Sequence, residues 1–245
     1  MLQVCLNGAR DRRECRDLPM TARELAAEAR RAVAAGAEDI HLHPKDTEGR
    51  DSLEPELVGA AVTEVRAAVP EHIQVGVTTG AWTVLDPRHR TELIRSWSVL
   101  PDHASVNWHE DGADAVAIAL LDRGIAIEAG IYSGTDAIHR FLKSPYSRTV
   151  LRVLAEVTDT DPEQAAFTAM DLVKELEGKL AAPVLLHGEN AGAWPVLRVA
   201  ARLGLDTRIG FEDVLTLPNG SVASDNAALV HAARELLEAQ IDPQC

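Results

Sequence analysis

His41 and His43 stand two residues apart in Ile40-His41-Leu42-His43-Pro44-Lys45, and side chains at i and i+2 of a strand share one face. Two neutral imidazoles on one face suit a divalent transition metal such as Zn²⁺. Two ordinary polar residues at a strand end would show the same spacing. A group of complementary type lies far along the chain in Thr207-Arg208-Ile209-Gly210-Phe211-Glu212-Asp213. Extended backbone there puts Arg208, Gly210 and Glu212 on one face, with Asp213 on the other face or on the following turn. Glu212 meeting the two histidines across a common mouth gives a His₂Glu set with room for solvent or substrate, as catalytic zinc sites require; a surface Glu-Asp pair capping the next element is the plain alternative. Hydroxyls come from Val77-Thr78-Thr79-Gly80 and Ala104-Ser105-Val106-Asn107. Thr78 and Ser105 there either bind a carboxylate or enolate oxygen or cap backbone at strand ends.

These residues need elements to carry them. β-Branched runs predict strands over Leu2–Leu6, Asp39–His43, Ile73–Thr78, His103–Trp108, Ile125–Gly130, Val150–Val157, Pro183–His187 and Thr207–Phe211. Ala/Leu/Glu/Arg-rich stretches between them predict helices over Ala22–Ala35, Pro55–Ala68, Arg88–Trp97, Ala113–Leu121, Thr135–Leu142, Pro162–Leu176, Ala193–Leu203 and Asn226–Ala239. Thr21 with Glu24 three residues on is a capping-box pattern, Gly36 sits where a helix C-terminus expects glycine, and Pro162 suits a first helical position. Eight strand–helix units in 245 residues, about 31 residues each, fit a single (β/α)₈ TIM barrel over residues 1–245. A doubly wound open sheet is the competitor, but it prefers fewer strands, and the first turn, Asn7-Gly8-Ala9-Arg10, has no GxGxxG. In a barrel the active site lies at the C-terminal strand ends, where the residues above fall.

Other positions are weaker. Glu128, in Ile127-Glu128-Ala129-Gly130, would be an acid inside the barrel, where it needs a partner; it either orients a metal ligand or the base, and it counts among the candidate substrate-binding residues. Asn107, His109 and Glu110 end the fourth strand as further candidate substrate contacts. Trp82 either walls the pocket or packs its own loop, and His187 is a site residue or a polar strand-end histidine. His72, His89, His139 and His231 read as surface histidines.

The net charge is −14, from 24 Lys+Arg against 38 Asp+Glu, which argues against nucleic acid and anionic membrane as partners. At 46% hydrophobic and 25% charged residues the chain is globular rather than disordered. No apolar run approaches the roughly 18–20 residues of a membrane span, and the N-terminus lacks the order of a signal peptide. Cys5, Cys15 and Cys245 form no CxxC, so a reducing, cytoplasmic location is expected.

Taken together, the N-terminal NGA, IHLH, TTG, ASVN, RIGFED and a closing Ser224-Asp225-Asn226-Ala227 resemble the β-keto acid cleavage enzyme family over most of the chain. The resemblance implies a zinc-bearing barrel, a homotetramer, and conversion of a β-keto acid and acetyl-CoA to acetoacetate and a new acyl-CoA. It implies His41, His43 and Glu212 as zinc ligands and Arg208 with Asp213 as the catalytic pair. It also implies Thr78, in place of a serine, and Ser105, in place of a threonine, as holders of the substrate carboxylate. Three positions depart from the family pattern. Lys45 stands for an arginine in HxHxR. Arg10 replaces the glutamate that meets a substrate ammonium in an amino-substrate member, so a polar neutral or anionic tail is expected. Leu186-His187-Gly188-Glu189-Asn190 replaces a glycine-rich stretch. Two competing readings remain: a metal-dependent hydrolase of the amidohydrolase kind, and a non-catalytic barrel sensing a CoA ester or acidic metabolite. The first wants its HxH on strand one and histidines on strands five and six, where this chain has none. The second leaves the Arg208–Asp213 pair without a purpose.

Overall fold

The computed structural model describes residues 1–241; Cys245 and the last residues of the expected unit lie outside them. Eight strands alternate with eight helices: β1 (Leu2–Cys5), α1 (Ala22–Ala34), β2 (Asp39–Leu42), α2 (Pro55–Ala68), β3 (Gln74–Thr78), α3 (Pro87–Ser96), β4 (His103–Asn107), α4 (Ala113–Leu121), β5 (Ala126–Tyr132), α5 (Ala137–Lys143), β6 (Arg152–Val157), α6 (Pro162–Leu176), β7 (Val184–Gly188), α7 (Ala193–Leu203), β8 (Thr207–Ile209) and α8 (Asn226–Ile241). All pairings between these strands are parallel, in the order β7-β6-β5-β4-β3-β2-β1-β8. A parallel bridge between Leu185 and Asp206, with Leu186 N–H donating to Asp206 O at 2.9 Å, brings β7 to β8 and closes the ring. The architecture is a (β/α)₈ barrel.

Local chemistry sets the elements. The Thr21 hydroxyl accepts from Glu24 N–H while the Glu24 carboxylate accepts from Thr21 N–H at 3.0 Å, a complete capping box on α1. Asp86 and Asp161 cap α3 and α6, each followed by a proline at the first helical position. α3 therefore starts at Pro87 rather than at the expected Arg88. Outward strand residues such as Val4, Ile40, Val77, Ile127 and Val153 are fully buried against the helices. The inward residues of the lower barrel are polar instead: Gln3, Asp39, His103, Glu128 and Arg152 meet one another there. That departs from the branched aliphatic filling usual in such barrels. β8 is shorter than expected. After Ile209 the N–H groups of Asp213 and Val214 both turn back to Gly210 O at 2.9 Å, so Glu212 lies on a turn rather than on strand.

Candidate active site

His41 lies on β2, His43 just beyond its end, and Glu212 in the turn after β8. Their ligand-capable atoms lie within 4.8 Å of one another. Glu212 Oε2 is 3.4 Å from His43 Nε2 and 3.9 Å from His41 Nε2. The expected meeting across the mouth is corrected by the strand order. β8 and β2 flank β1, so Glu212 approaches over the end of that one strand rather than from the far wall. Gly8, just past β1, permits this: at φ +58° it is left-handed, and a Cβ there would sit 2.5 Å from Glu212 Cγ.

The histidines are held from behind. Asn7 clamps His43 by its backbone, donating to His43 O and accepting from His43 N–H, both at 2.9 Å. His43 Nδ1 is 2.7 Å from Asp51 Oδ2. That same oxygen accepts from Trp82 Nε1 at 2.8 Å, and Trp82 stacks on the His43 ring. Lys45 donates to the other Asp51 oxygen at 2.5 Å and to Gly8 O at 2.8 Å. An Nδ1 engaged this way leaves Nε2 free to ligate. Burial alone would lower the His43 pKa, but Glu212 and Asp51 outweigh it and push it up to about 9.

The site fits a divalent cation. Glu212 Oε2 is buried, has no hydrogen-bond partner among the described residues and faces two imidazole nitrogens, and two nitrogens with one carboxylate is a catalytic-zinc donor set. A second group, Asp39, His103 and Glu128, also has its donors within 4.8 Å. There the Arg152 guanidinium on Asp39 and the Gln3 amide on both carboxylates already supply positive charge and donors.

Arg208 ties the second half of the site together. Its Nε donates to Asp213 Oδ1 at 3.0 Å and its Nη2 to Glu212 Oε1 at 2.9 Å. Asp213 is fully buried and its Oδ2 has no partner among the described residues. Burial raises its pKa, Arg208 lowers it, and the nearby Glu212 and Glu156 raise it again, to about 7. That value suits a group that takes and returns a proton near neutrality. His187, fully buried, lies between Glu156 (3.4 Å) and Asp213 (3.7 Å). A cavity of about 330 Å³ opens on this assembly, lined by His43, Arg208, Glu212 and Asp213 together with Arg10, Trp82, Tyr132, Glu156, Glu189 and Asn190. Arg10 Nη2 donates to Asn190 Oδ1 at 2.7 Å, its Nη1 pairs with Glu14 at 2.9 Å, and its Nε donates to Glu212 O.

Thr78, Ser105, Asn107 and Glu128 are not among the residues that line this cavity. Thr78 and Ser105 are register partners on β3 and β4, both buried; the Thr78 hydroxyl accepts from Gly80 N–H at 3.2 Å. Asn107 donates to Glu110 at 2.9 Å. Glu128 is fully buried and faces His41 Nδ1 at 3.7 Å rather than the cavity. His72, His89, His139 and His231 are exposed. Sequence reading passed over Asn7, Asp51, Glu156 and the His103–Asp39–Arg152 group. Asp39 carried a signal, since it precedes His41 by two on the same strand face. Asp51 carried none, because it sits in a loop.

Among the described residues no helix is long and apolar enough to cross a membrane. A model of the family described as beta-keto acid cleavage enzyme matches residues 1–242. The 3-keto-5-aminohexanoate cleavage enzyme of Acetoanaerobium sticklandii is 25% identical over 235 residues, covering 87% of this chain and 82% of the relative. Its counterpart in Fusobacterium nucleatum is 24% identical over 231 residues, covering 87% and 81%. Among solved structures, apo ObcA aligns with a TM-score of 0.71 at 18% identity, over 91% of this chain. The chain spans only 62% of that structure's length, and the likeness is one of fold.

Proposed function

The chain belongs to the beta-keto acid cleavage enzyme family, and we propose that it condenses a β-keto acid with acetyl-CoA to give acetoacetate and a new acyl-CoA. The observation that carries this reading is the convergence of His41, His43 and Glu212 beside a buried carboxylate, Asp213, anchored by Arg208. His41, His43 and Glu212 would hold a divalent cation, zinc by the donor set, which would supply Lewis acidity to the deprotonation of the substrate. Asp213 takes the C2 proton, and Arg208 fixes its Oδ1 so that Oδ2 faces the reaction. The carbon nucleophile attacks the thioester carbonyl of acetyl-CoA and expels the CoA thiolate. That thiolate then attacks the original keto carbon, the C2–C3 bond breaks, and Asp213 returns its proton to C2 of the departing acetoacetate.

Thr78 and Ser105 are assigned to the substrate carboxylate and Asn107 to a neighbouring contact. Arg10, on the cavity wall beside Asn190, meets a polar neutral or anionic tail. Residues 1–245 act as one catalytic unit, assembled as a homotetramer. Exposed Phe167 and Met170 on α6 and Leu203 at the end of α7 offer apolar surface for that assembly. The test is a panel of β-keto acids incubated with acetyl-CoA, following acetoacetate release with and without a chelator. Turnover with at least one acid, lost on chelation and restored by zinc, is the expected result; no acetyl-CoA-dependent acetoacetate from any of them overturns the proposal.

A further inference from the structure

Glu128 Oε2 stands between two imidazole nitrogens, 3.2 Å from His103 Nδ1 and 3.7 Å from His41 Nδ1. All three atoms are buried and none has a hydrogen bond among the described residues. The rest of this carboxylate is fixed. Its Oε1 accepts from Gln3 Nε2 at 2.8 Å and lies 3.4 Å from Arg152 Nε. Gln3 also donates to Asp39 at 2.8 Å, Arg152 Nη2 pairs with Asp39 at 2.8 Å, and His103 Nε2 lies 3.0 Å from Asp39 Oδ1. Gly76 on β3 makes room for the His103 ring, since a Cβ there would lie 2.0 Å from it. Five strands therefore hold one carboxylate oxygen against the back of His41.

We propose that Glu128 is the positioning residue of the metal site: it accepts Nδ1–H of His41, so that His41 presents Nε2 to the cation. His103, Gln3 and Arg152 hold Glu128 in place for that task. The inference rests on His41, His43 and Glu212 being metal ligands. His43 already has such a partner in Asp51 at 2.7 Å, and Glu128 Oε2, 3.7 Å from His41 Nδ1, is the corresponding acceptor on the back of His41.

The geometry makes Glu128→Gln an informative change. Gln3 and Arg152 are both donors to the Oε1 place, so the amide oxygen takes that place and the NH₂ takes the place of Oε2. A donor then faces His41 Nδ1, which must accept, and the ring proton moves to Nε2 where it blocks ligation. Zinc affinity, measured by competition with a chromophoric chelator, is expected to weaken roughly 10–100-fold in Glu128→Gln, the usual effect of losing a group behind a ligand. Glu128→Asp should recover part of it. In ¹⁵N spectra of the wild-type zinc protein, His41 is expected to carry its proton on Nδ1, a readout that needs no variant to fold. A proton on Nε2, or unchanged zinc affinity in folded Glu128→Gln, overturns the inference while leaving the metal site standing. Wild-type protein that binds no zinc overturns both.

Discussion

Asp213 and His41 show how one side chain's surroundings assign its task. Asp213 keeps one oxygen on Arg208 and leaves the other bare in a closed setting. Asp213→Asn preserves the oxygen that Arg208 holds and removes only the ability to take a proton. It should retain full metal content and lose roughly 10²–10⁴-fold in kcat; wild-type turnover in that variant would place the base elsewhere. His41→Ala should abolish stoichiometric zinc, read by elemental analysis of the purified protein, because two remaining ligands make a poor site for this ion. Arg10→Glu exchanges the charge on the cavity wall and should move preference toward β-keto acids bearing an amine, measured as a ratio of kcat/KM values; an unchanged ratio would remove Arg10 from the specificity pocket. His41, His43, Glu212, Arg208 and Asp213 were legible because pairs of them sit at short spacings on or beside one strand. Asn7 and Asp51 were not, since what each does for His43 depends on loop paths that no periodicity records.

Elements were legible where their ends carry chemistry. α1 announces itself through Thr21 and Glu24, and both halves of the box form. β8 misled for a physical reason: Thr207 to Phe211 reads as extended, but Gly210 accepts two turn hydrogen bonds and ends the strand early. The turn is what brings Glu212 and Asp213 under one arginine. Thr21→Ala should cost about 1 kcal/mol in urea unfolding, as lost N-caps do. Glu24 gives a pH signature at the same helix end. Burial raises its pKa, but hydrogen bonds from the Thr21 and Met20 N–H groups, and from Arg12, bring it down to about 2. A carboxyl lowered on folding contributes stability that is complete above its unfolded value near 4.5 and is lost as pH falls toward 2. Glu24→Gln should therefore be less stable than wild type at pH 7, with the gap narrowing by pH 3.5. A gap that stays constant would mean that the charge contributes nothing to the cap.

For the whole molecule, the question is where the ring of strands is weakest. The alternation of eight units made the barrel legible, but not how each seam is held. β8 has only three residues, pairs with β1 over three positions, and touches β7 through a single bridge. β4 and β5 pair over five positions. The proposed cation joins Glu212, just after β8, to His41 and His43 on the far side of β1, so it fastens the short strand to a longer-paired part of the sheet. Zinc at about 100 times its Kd should stabilise the fold by roughly 2.7 kcal/mol, which for a chain of this size raises Tm by about 5–10 °C. The gain should be local as well as global. Backbone amides of Thr207–Ile209 should exchange more slowly with zinc than after chelation, by a larger factor than those of β4 and β5. Equal slowing of both regions would mean that β8 opens only when the entire barrel unfolds, and that the cation does not act as a fastener of that seam.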